Sequence, residues 1–252
     1  MSRIPLKTDS QIAKMRESGR LTYQTLQLME SLVRPGVSTK ELDEAAYAFI
    51  TSHGAVPSFL NYHGYPATIC ASVNEQVVHG IPGDYVLKDG DIVSIDVGAC
   101  LGGWHGDAAR TFLVGEVDES VKKLVEVTRQ CFFEGLKYAE EGRYVEDISR
   151  AIEEHAVKHG YGVVRELTGH GIGRRMHEEP EVLNYVPRIK RESVRLECGM
   201  TIAIEPMINM GRAAVRFMPD GWTVVTADRK HSAHYENTVA ITAGGPIILT
   251  AE

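Results

Sequence analysis

Cysteine is scarce and unpaired in this sequence: Cys70, Cys100, Cys131 and Cys198 are widely separated and form no Cys-x-x-Cys motif. That disfavours a zinc knuckle and a disulfide framework, and leaves the four as small buried hydrophobes. No apolar run approaches the roughly 18–20 residues of a membrane span, and the N-terminal stretch MSRIPLKTDS lacks the apolar centre of a signal peptide. No basic block is longer than Lys190-Arg191, and the formal net charge is −7. Neither a specific nucleic-acid binder nor a membrane-surface protein is therefore expected. These absences point to the cytoplasm. What is present is a chain of 252 residues, 43% of them hydrophobic, which can bury a full core as one large domain or two fused halves.

Helical signals come first along the chain. Thr8-x-x-Gln11 is a capping-box pattern, and Ile12, Met15, Gly19, Thr22, Leu26 and Met29 follow at spacings of three and four. Arg34-Pro35-Gly36 ends that helix. Ser38-x-x-Glu41 opens a second, with Leu42, Ala45, Ala46 and Phe49 on its apolar face and Gly54 just past its end. Residues 55–83 are loop-rich and strand-like, and hold Phe59, Tyr62, His63, Tyr65, Cys70 and the turn His79-Gly80-Ile81-Pro82. The run IVSIDVGACLGGWHGDAART, Ile92 to Thr111, then reads as a β-hairpin with a Gly-rich turn. Centring that turn between Leu101 and Gly102 opposes residues whose numbers sum to 203, so Asp96 faces Asp107. Like charges opposed in this way are destabilising. Once buried they need a cation, a shared proton or solvent, with Arg110 the available pairing partner.

The same order of elements returns afterwards. A helix is expected from about Glu119 to Tyr138, and a shorter one from about Val145 carries Ile148, Ile152 and Ala156 before Gly160. LKDGDIVSID, Leu87 to Asp96, overlays LECGMTIAIE, Leu196 to Glu205, and His79-Gly80-Ile81 has a counterpart in His170-Gly171-Ile172. We read an internal duplication, with halves at about 8–115 and 116–252 forming a single catalytic domain of pseudo-two-fold α+β architecture. Each half is two helices followed by an antiparallel sheet. In this overlay Asp96 coincides with Glu205. Pro219-Asp220-Gly221 is a strong turn signal, and a long hairpin centred between Asp220 and Gly221 opposes residues summing to 441, which pairs Glu205 with Glu236.

Taken singly, each histidine reads as a surface or structural residue, and Phe59, Tyr62, Tyr65 and Trp222 read as core. Glu178-Glu179 reads as a solvated or capping pair, and Glu153-Glu154 as a solvated helix face. The joint arrangement says more: four carboxylates from symmetry-related or opposed places, with His170 as a nitrogen donor. That set suits Mn, Fe, Co or Zn in a two-metal site better than a thiolate zinc site. Two ions about 3.5–4 Å apart can share a water and lower its pKa toward about 7, for attack on an amide or a phosphate ester. Glu205 can take a proton from that water, and His79 and His177 remain as imidazoles able to donate to a developing oxyanion or a leaving nitrogen.

The chain resembles the bacterial type I methionine aminopeptidases of metallopeptidase family M24, which have the pita-bread fold. The resemblance runs over nearly the whole length, through NYHGYPATICASVNEQVVHGIP, DGDIVSIDVGACLGGWHGDAARTF, TGHGIGRRMHEEPEVLNY, GMTIAIEPM and DGWTVVTADRKHSAHYENTVAIT. It implies metal ligation by Asp96, Asp107, His170, Glu205 and Glu236, with Glu205 also the general base. It further implies substrate contacts by His79 and His177, and a methionine pocket of Phe59, Tyr62, Tyr65, Cys70, Met176 and Trp222. Apolar and aromatic side chains suit a thioether. Three residues depart from the family pattern: Phe59, Met176 and Asn237. The implied activity is removal of N-terminal methionine from nascent proteins and peptides with a small second residue. It would use two divalent ions per chain, in a cytoplasmic monomer with transient ribosome contact. A proline-specific aminopeptidase or dipeptidase of the same fold, and a non-catalytic pita-bread binding protein, are the alternatives.

Overall fold

Thr8 and Ser38 open the first two helices, α1 (Asp9–Leu32) and α2 (Thr39–Ser52), through reciprocal caps. Gln11 N donates to Thr8 Oγ1 at 3.4 Å while Thr8 N donates to Gln11 Oε1 at 2.9 Å. Glu41 answers Ser38 in the same way, at 3.2 and 2.8 Å. Each box satisfies two backbone donors that the first helical turn leaves free. Gly54 leaves α2 at φ 73°, in the left-handed region where a side chain is disfavoured. The computed structural model describes residues 4–189 and 192–252. Of the features named above, Lys190-Arg191 and the first three residues of the N-terminal stretch lie outside them.

The chain continues through β1 (Val56–Pro57), β2 (Ile69–Val73), β3 (Gln76–Val78), β4 (Ile92–Leu101) and β5 (Trp104–Leu113). Helices α3 (Glu119–Leu136) and α4 (Val145–Lys158) follow, then short strands β6 (Gly162–Val163), β7 (Gly169–Gly171), β8 (Glu178–Val182), β9 (Thr201–Ile204) and β10 (Met207–Asn209). The last elements are β11 (Val215–Phe217), β12 (Val224–Thr226), β13 (Ser232–His234), β14 (Asn237–Thr242) and β15 (Gly245–Ile248). The architecture is α+β. Strand β4 is flanked by β1, β2 and β5, and a second sheet runs β15-β14-β9-β7-β8. Among the described residues no helix is long and apolar enough to cross a membrane.

Each helix pair covers one of these sheets. Leu26, Met29, Leu42 and Ile50 pack on Ile69, Ile95 and Val97 in the first core, and Leu124, Phe132, Ile148 and Ile152 on Ile202, Ile204 and Val239 in the second. Full burial of such side chains contributes about 1.5–3 kcal/mol each. Helix α1 crosses β5 so closely that only glycine fits at the contact: a Cβ on Gly19 would lie 2.3 Å from Leu249 O, and one on Gly106 would lie 2.8 Å from Gly19 Cα. Ser18 and Thr22 hydroxyls donate to Trp104 O and Gly106 O across this contact.

The β4–β5 hairpin corrects the register expected from sequence. Its two turn residues are Gly102 and Gly103, at φ 59° and 76°, because a two-residue turn that follows the strand twist needs positive φ at both positions. Leu101 therefore pairs with Trp104, Asp96 with Ala109 and Asp107 with Gly98. Opposed residues sum to 205. The shift from 203 is two, so the side chains keep their faces, and Asp96 and Asp107 become diagonal neighbours on one face.

In the second half the sum of 441 holds, but through a broken ribbon. Ile204 pairs with Asn237, Met207 with His234, and Val215 with Thr226. Glu205 and Glu236 occupy the gap between paired segments. Helix α3 ends at Leu136, short of Tyr138. Cys70 and Cys131 are buried, but Cys100, at the end of β4, and Cys198, in the turn before β9, are partly exposed.

Candidate metal centre and adjoining cavity

The gap in the ribbon is closed by β5. Glu236 N donates to Ala109 O at 3.0 Å and Ala109 N to Glu236 O at 3.3 Å, while the Thr238 hydroxyl accepts from Asp107 N and donates to Asp107 O. This seam sets Asp107 beside Glu236. Asp96 arrives from β4, His170 from β7, and Glu205 immediately after β9. The five candidate ligands thus converge from five strands or strand ends, two of them the arms of one hairpin.

The donor geometry is close. His170 Nε2 lies 3.5 Å from Asp107 Oδ2 and 3.7 Å from Glu205 Oε1. The His170 Nδ1 lies 2.8 Å from Gly171 O, which can only accept, so Nδ1 carries the proton and the neutral ring turns its Nε2 lone pair toward the carboxylates. A lone pair facing carboxylate oxygens calls for a cation between them. Ligand atoms of Asp107, His170 and Glu236 lie within 4.8 Å of one another, as do those of Glu205, His234 and Glu236. Asp96 Oδ1, Asp107 Oδ1, Glu236 Oε1 and His234 Nε2 are buried and have no hydrogen-bond partner among the described residues. Such orphaned atoms are costly unless a ligand meets them. The oxygen-rich donor set with imidazole nitrogen fits divalent metal.

Electrostatics agree with that fit. Burial, reinforced by neighbouring carboxylates, pushes Asp96, Glu205 and Glu236 well above the usual carboxylate range. Burial raises Asp107 to about 7, against the lowering effect of hydrogen bonds with Asp96 and Glu236. Burial also lowers His170 to about 4 and His234 to about 3. Arg110 supplies no direct neutralisation: its guanidinium donates to Ala109 O, to Glu236 O at 2.5 Å and to Asn237 Oδ1 at 2.7 Å, and lies over the Tyr235 ring. The Asn237 Oδ1 also accepts from the Thr250 hydroxyl at 2.9 Å. Asn237 therefore holds the strand that follows Glu236 from beneath.

A cavity of about 330 Å³ opens on this cluster. Phe59, Tyr62, Tyr65, Cys70, His79, Met176, His177 and Trp222 all line it, together with Asp96, Asp107, His170, Glu205 and Glu236. The wall is built from close contacts. Gly98 leaves room for Phe59, whose ring carbon would lie 3.0 Å from a Cβ there. The Tyr65 hydroxyl donates to Ile69 O and Gly80 O, and its ring meets Trp222 edge-on at 5.1 Å. His79 is held at φ 58°, unusual for a residue with a side chain, and its ring also meets Trp222 edge-on. His177 reaches the surface, stacks on Tyr62 at 5.2 Å and places Nδ1 2.8 Å from the Tyr62 hydroxyl. Partial burial of its ring, with the imidazoles of His170, His79, His63 and His105 nearby, lowers it to about 3.

Sequence reasoning missed His234 and the wall residues His63, Val78, Glu166, Leu167, Thr168 and Met207. The signal for His234 was available, since the 441 register sets it opposite Met207, two residues beyond Glu205. The solvated alternative for Glu178 is also corrected. Far from solvated, Glu178 forms a buried ion pair with Lys7 at 2.7 Å and accepts from Arg175 N at 3.1 Å, bracing the loop that presents Met176 and His177. Glu153 accepts from Val186 N and pairs with Arg165, while Glu154 and Glu179 are exposed.

Residues 13–243 match the family described as metallopeptidase family M24. The methionine aminopeptidase of Clostridium perfringens is 53% identical over 247 residues, covering 98% of each chain. Methionine aminopeptidase 1 of Bacillus subtilis is 48% identical, covering 97% of this chain and 98% of its own. The crystal structure of methionine aminopeptidase from Rickettsia prowazekii superposes with a TM-score of 0.95 at 42% identity, covering 99% of this chain and 100% of that one. The fold is the pita-bread fold. The Xaa-Pro dipeptidase from Bacillus anthracis, 24% identical with a TM-score of 0.78, shares the fold, and the match spans 62% of that longer chain.

Proposed function

We infer the reaction from the premise that this chain belongs to metallopeptidase family M24: it is an aminopeptidase that hydrolyses the N-terminal methionine of peptides. One observation carries this reading. A cluster of four carboxylates, buried at Asp107 and Glu236 and partly buried at Asp96 and Glu205, joins an imidazole with its lone pair turned inward to form the floor of a cavity walled by Phe59, Tyr65, Met176 and Trp222. The family implies divalent metal. Asp96, Asp107, His170, Glu205 and Glu236 would hold two divalent ions drawn from Co, Mn, Fe or Zn. When bound, such ions lower the pKa of water and polarise a carbonyl.

The remaining steps belong to side chains of this chain. The aromatic and thioether wall takes the methionine side chain, an apolar group with a polarizable sulfur. Glu205 accepts the proton of the attacking water and returns it to the leaving nitrogen. His177 Nδ1 pairs with the Tyr62 hydroxyl; in the tautomer where that hydroxyl donates, the neutral ring carries its proton on Nε2, a donor for the charge that develops on the scissile carbonyl. His79, whose ring meets Trp222 edge-on, supplies a second imidazole donor. Glu236 lies on the seam between the two duplicated halves, about 8–115 and 116–252, which act as a single catalytic domain. The enzyme works on nascent chains with a small second residue, as a cytoplasmic monomer in transient contact with the ribosome.

The test is release of methionine from Met-Ala-Ser by metal-reconstituted protein, set beside an Xaa-Pro peptide. Cleavage of Met-Ala-Ser and not the Xaa-Pro peptide is expected. Cleavage of only the Xaa-Pro peptide, or undiminished activity in Asp107→Ala, would overturn the assignment.

A further inference from the structure

We propose that His234 is a sixth metal ligand, so that the centre has two nitrogen donors, one for each half of the cluster. This rests on the metal-centre reading above. The His234 side chain is 2% exposed, and its Nε2 has no hydrogen-bond partner among the described residues. That nitrogen lies 3.7 Å from Glu205 Oε2 and 3.9 Å from Glu236 Oε2. Both separations are too long for hydrogen bonds. They are close to the spacing of donors around a shared ion, since two atoms about 2.1 Å from a tetrahedral centre sit roughly 3.4 Å apart.

The backbone holds the ring in this place. His234 pairs with Met207 at the end of β13, and the Thr111 hydroxyl accepts from His234 N and donates to His234 O, both at 2.9 Å. The imidazole is thus anchored to β5, the strand that carries Asp107. Two donor triads result, Asp107-His170-Glu236 and Glu205-His234-Glu236, with Glu236 common to both. An added imidazole in the second triad moves its preference from all-oxygen ions such as Mn(II) toward Co(II) and Zn(II).

The experiment loads the full-length protein, labelled with 15N at histidine, with Zn(II) and follows imidazole nitrogens in long-range 1H–15N correlation spectra. Two Nε2 resonances are expected to move to metal-bound positions, and one of them is expected to be missing in His234→Gln. In competition dialysis the variant is expected to hold one of its two zinc equivalents at least about tenfold more weakly, a loss typical even of a ligand's outer partner. A single shifted imidazole in the unsubstituted protein overturns the sixth ligand and leaves the metal centre standing, without need of any variant. Two shifted imidazoles that both persist in His234→Gln overturn it as well. No shifted imidazole, with no zinc retained, overturns the metal-centre reading and this inference together.

Discussion

Removing divalent metal is expected to make the protein progressively less stable between pH 7 and 8, and restoring metal is expected to abolish that slope. The carboxyls of Asp96, Glu205 and Glu236 are raised well above their ordinary values by burial and mutual repulsion, and Asp107 is raised to about 7 by burial. Above about pH 4 the unfolded chain has released these protons while the metal-free folded state retains those of Asp96, Glu205 and Glu236, and that of Asp107 up to about pH 7, so the folded state binds more protons and stability falls as pH rises. The histidines act in the opposite sense. His170, lowered to about 4, and His234 and His177, lowered to about 3, withhold stability as pH falls through the ordinary imidazole value of 6.5, and their effect fades over the pH unit above it. From about pH 7 upward the unfolded histidines have shed most of their protons and the carboxyls dominate the slope. Each retained proton costs about 1.4 kcal/mol per pH unit, which for a chain of this size shifts Tm by roughly 3–6 °C per unit. With metal bound the carboxylates are ionised in the folded state and the slope vanishes. Calorimetry of chelator-treated and metal-loaded protein at several pH values measures the difference. Parallel slopes, or a metal-free protein that gains stability toward pH 8, would refute the electrostatic reasoning.

Other perturbations test the supports of the site. Lys7→Met leaves the Glu178 carboxylate buried without its partner and is expected to cost about 3–5 kcal/mol and to raise KM through the Met176–His177 loop; urea titration and steady-state kinetics check it, and adding Glu178→Gln should restore most of the stability. Gly19→Ala drives a Cβ to 2.3 Å from Leu249 O and is expected to lower stability by about 3 kcal/mol, measured by thermal unfolding. Arg110→Met removes the donors to Glu236 O and Asn237 Oδ1, for an expected loss of about 2–4 kcal/mol together with weaker metal binding in a calorimetric titration. Arg110→Lys recovers only part of this, because an ammonium lacks the fork that reaches both acceptors.

Much of this was legible before any coordinates. Capping boxes at Thr8 and Ser38 and the apolar stripes behind them placed α1 and α2, because helix caps are local chemistry. The candidate ligands followed from two hairpins and an internal overlay, and all of them line one cavity. The β4–β5 register was misjudged because Leu101-Gly102-Gly103 offers two turn centres, and only the positive φ of both glycines decides between them. His234 was overlooked because pairing was followed through carboxylates alone. Glu178 was misread because Lys7, its partner, is 171 residues away in sequence. The precise pocket wall depends on contacts such as Phe59 over Gly98, which no periodicity encodes.

The central claim is that this carboxylate and imidazole cluster is a metal centre that drives methionine release. A titration of metal-free protein with Co(II), reading methionine released from Met-Ala-Ser after each addition, tests it most directly. Activity rising from baseline and levelling by two equivalents, with Asp107→Ala flat throughout, is the predicted result; full activity in the metal-free protein, or a normal titration in Asp107→Ala, would contradict it.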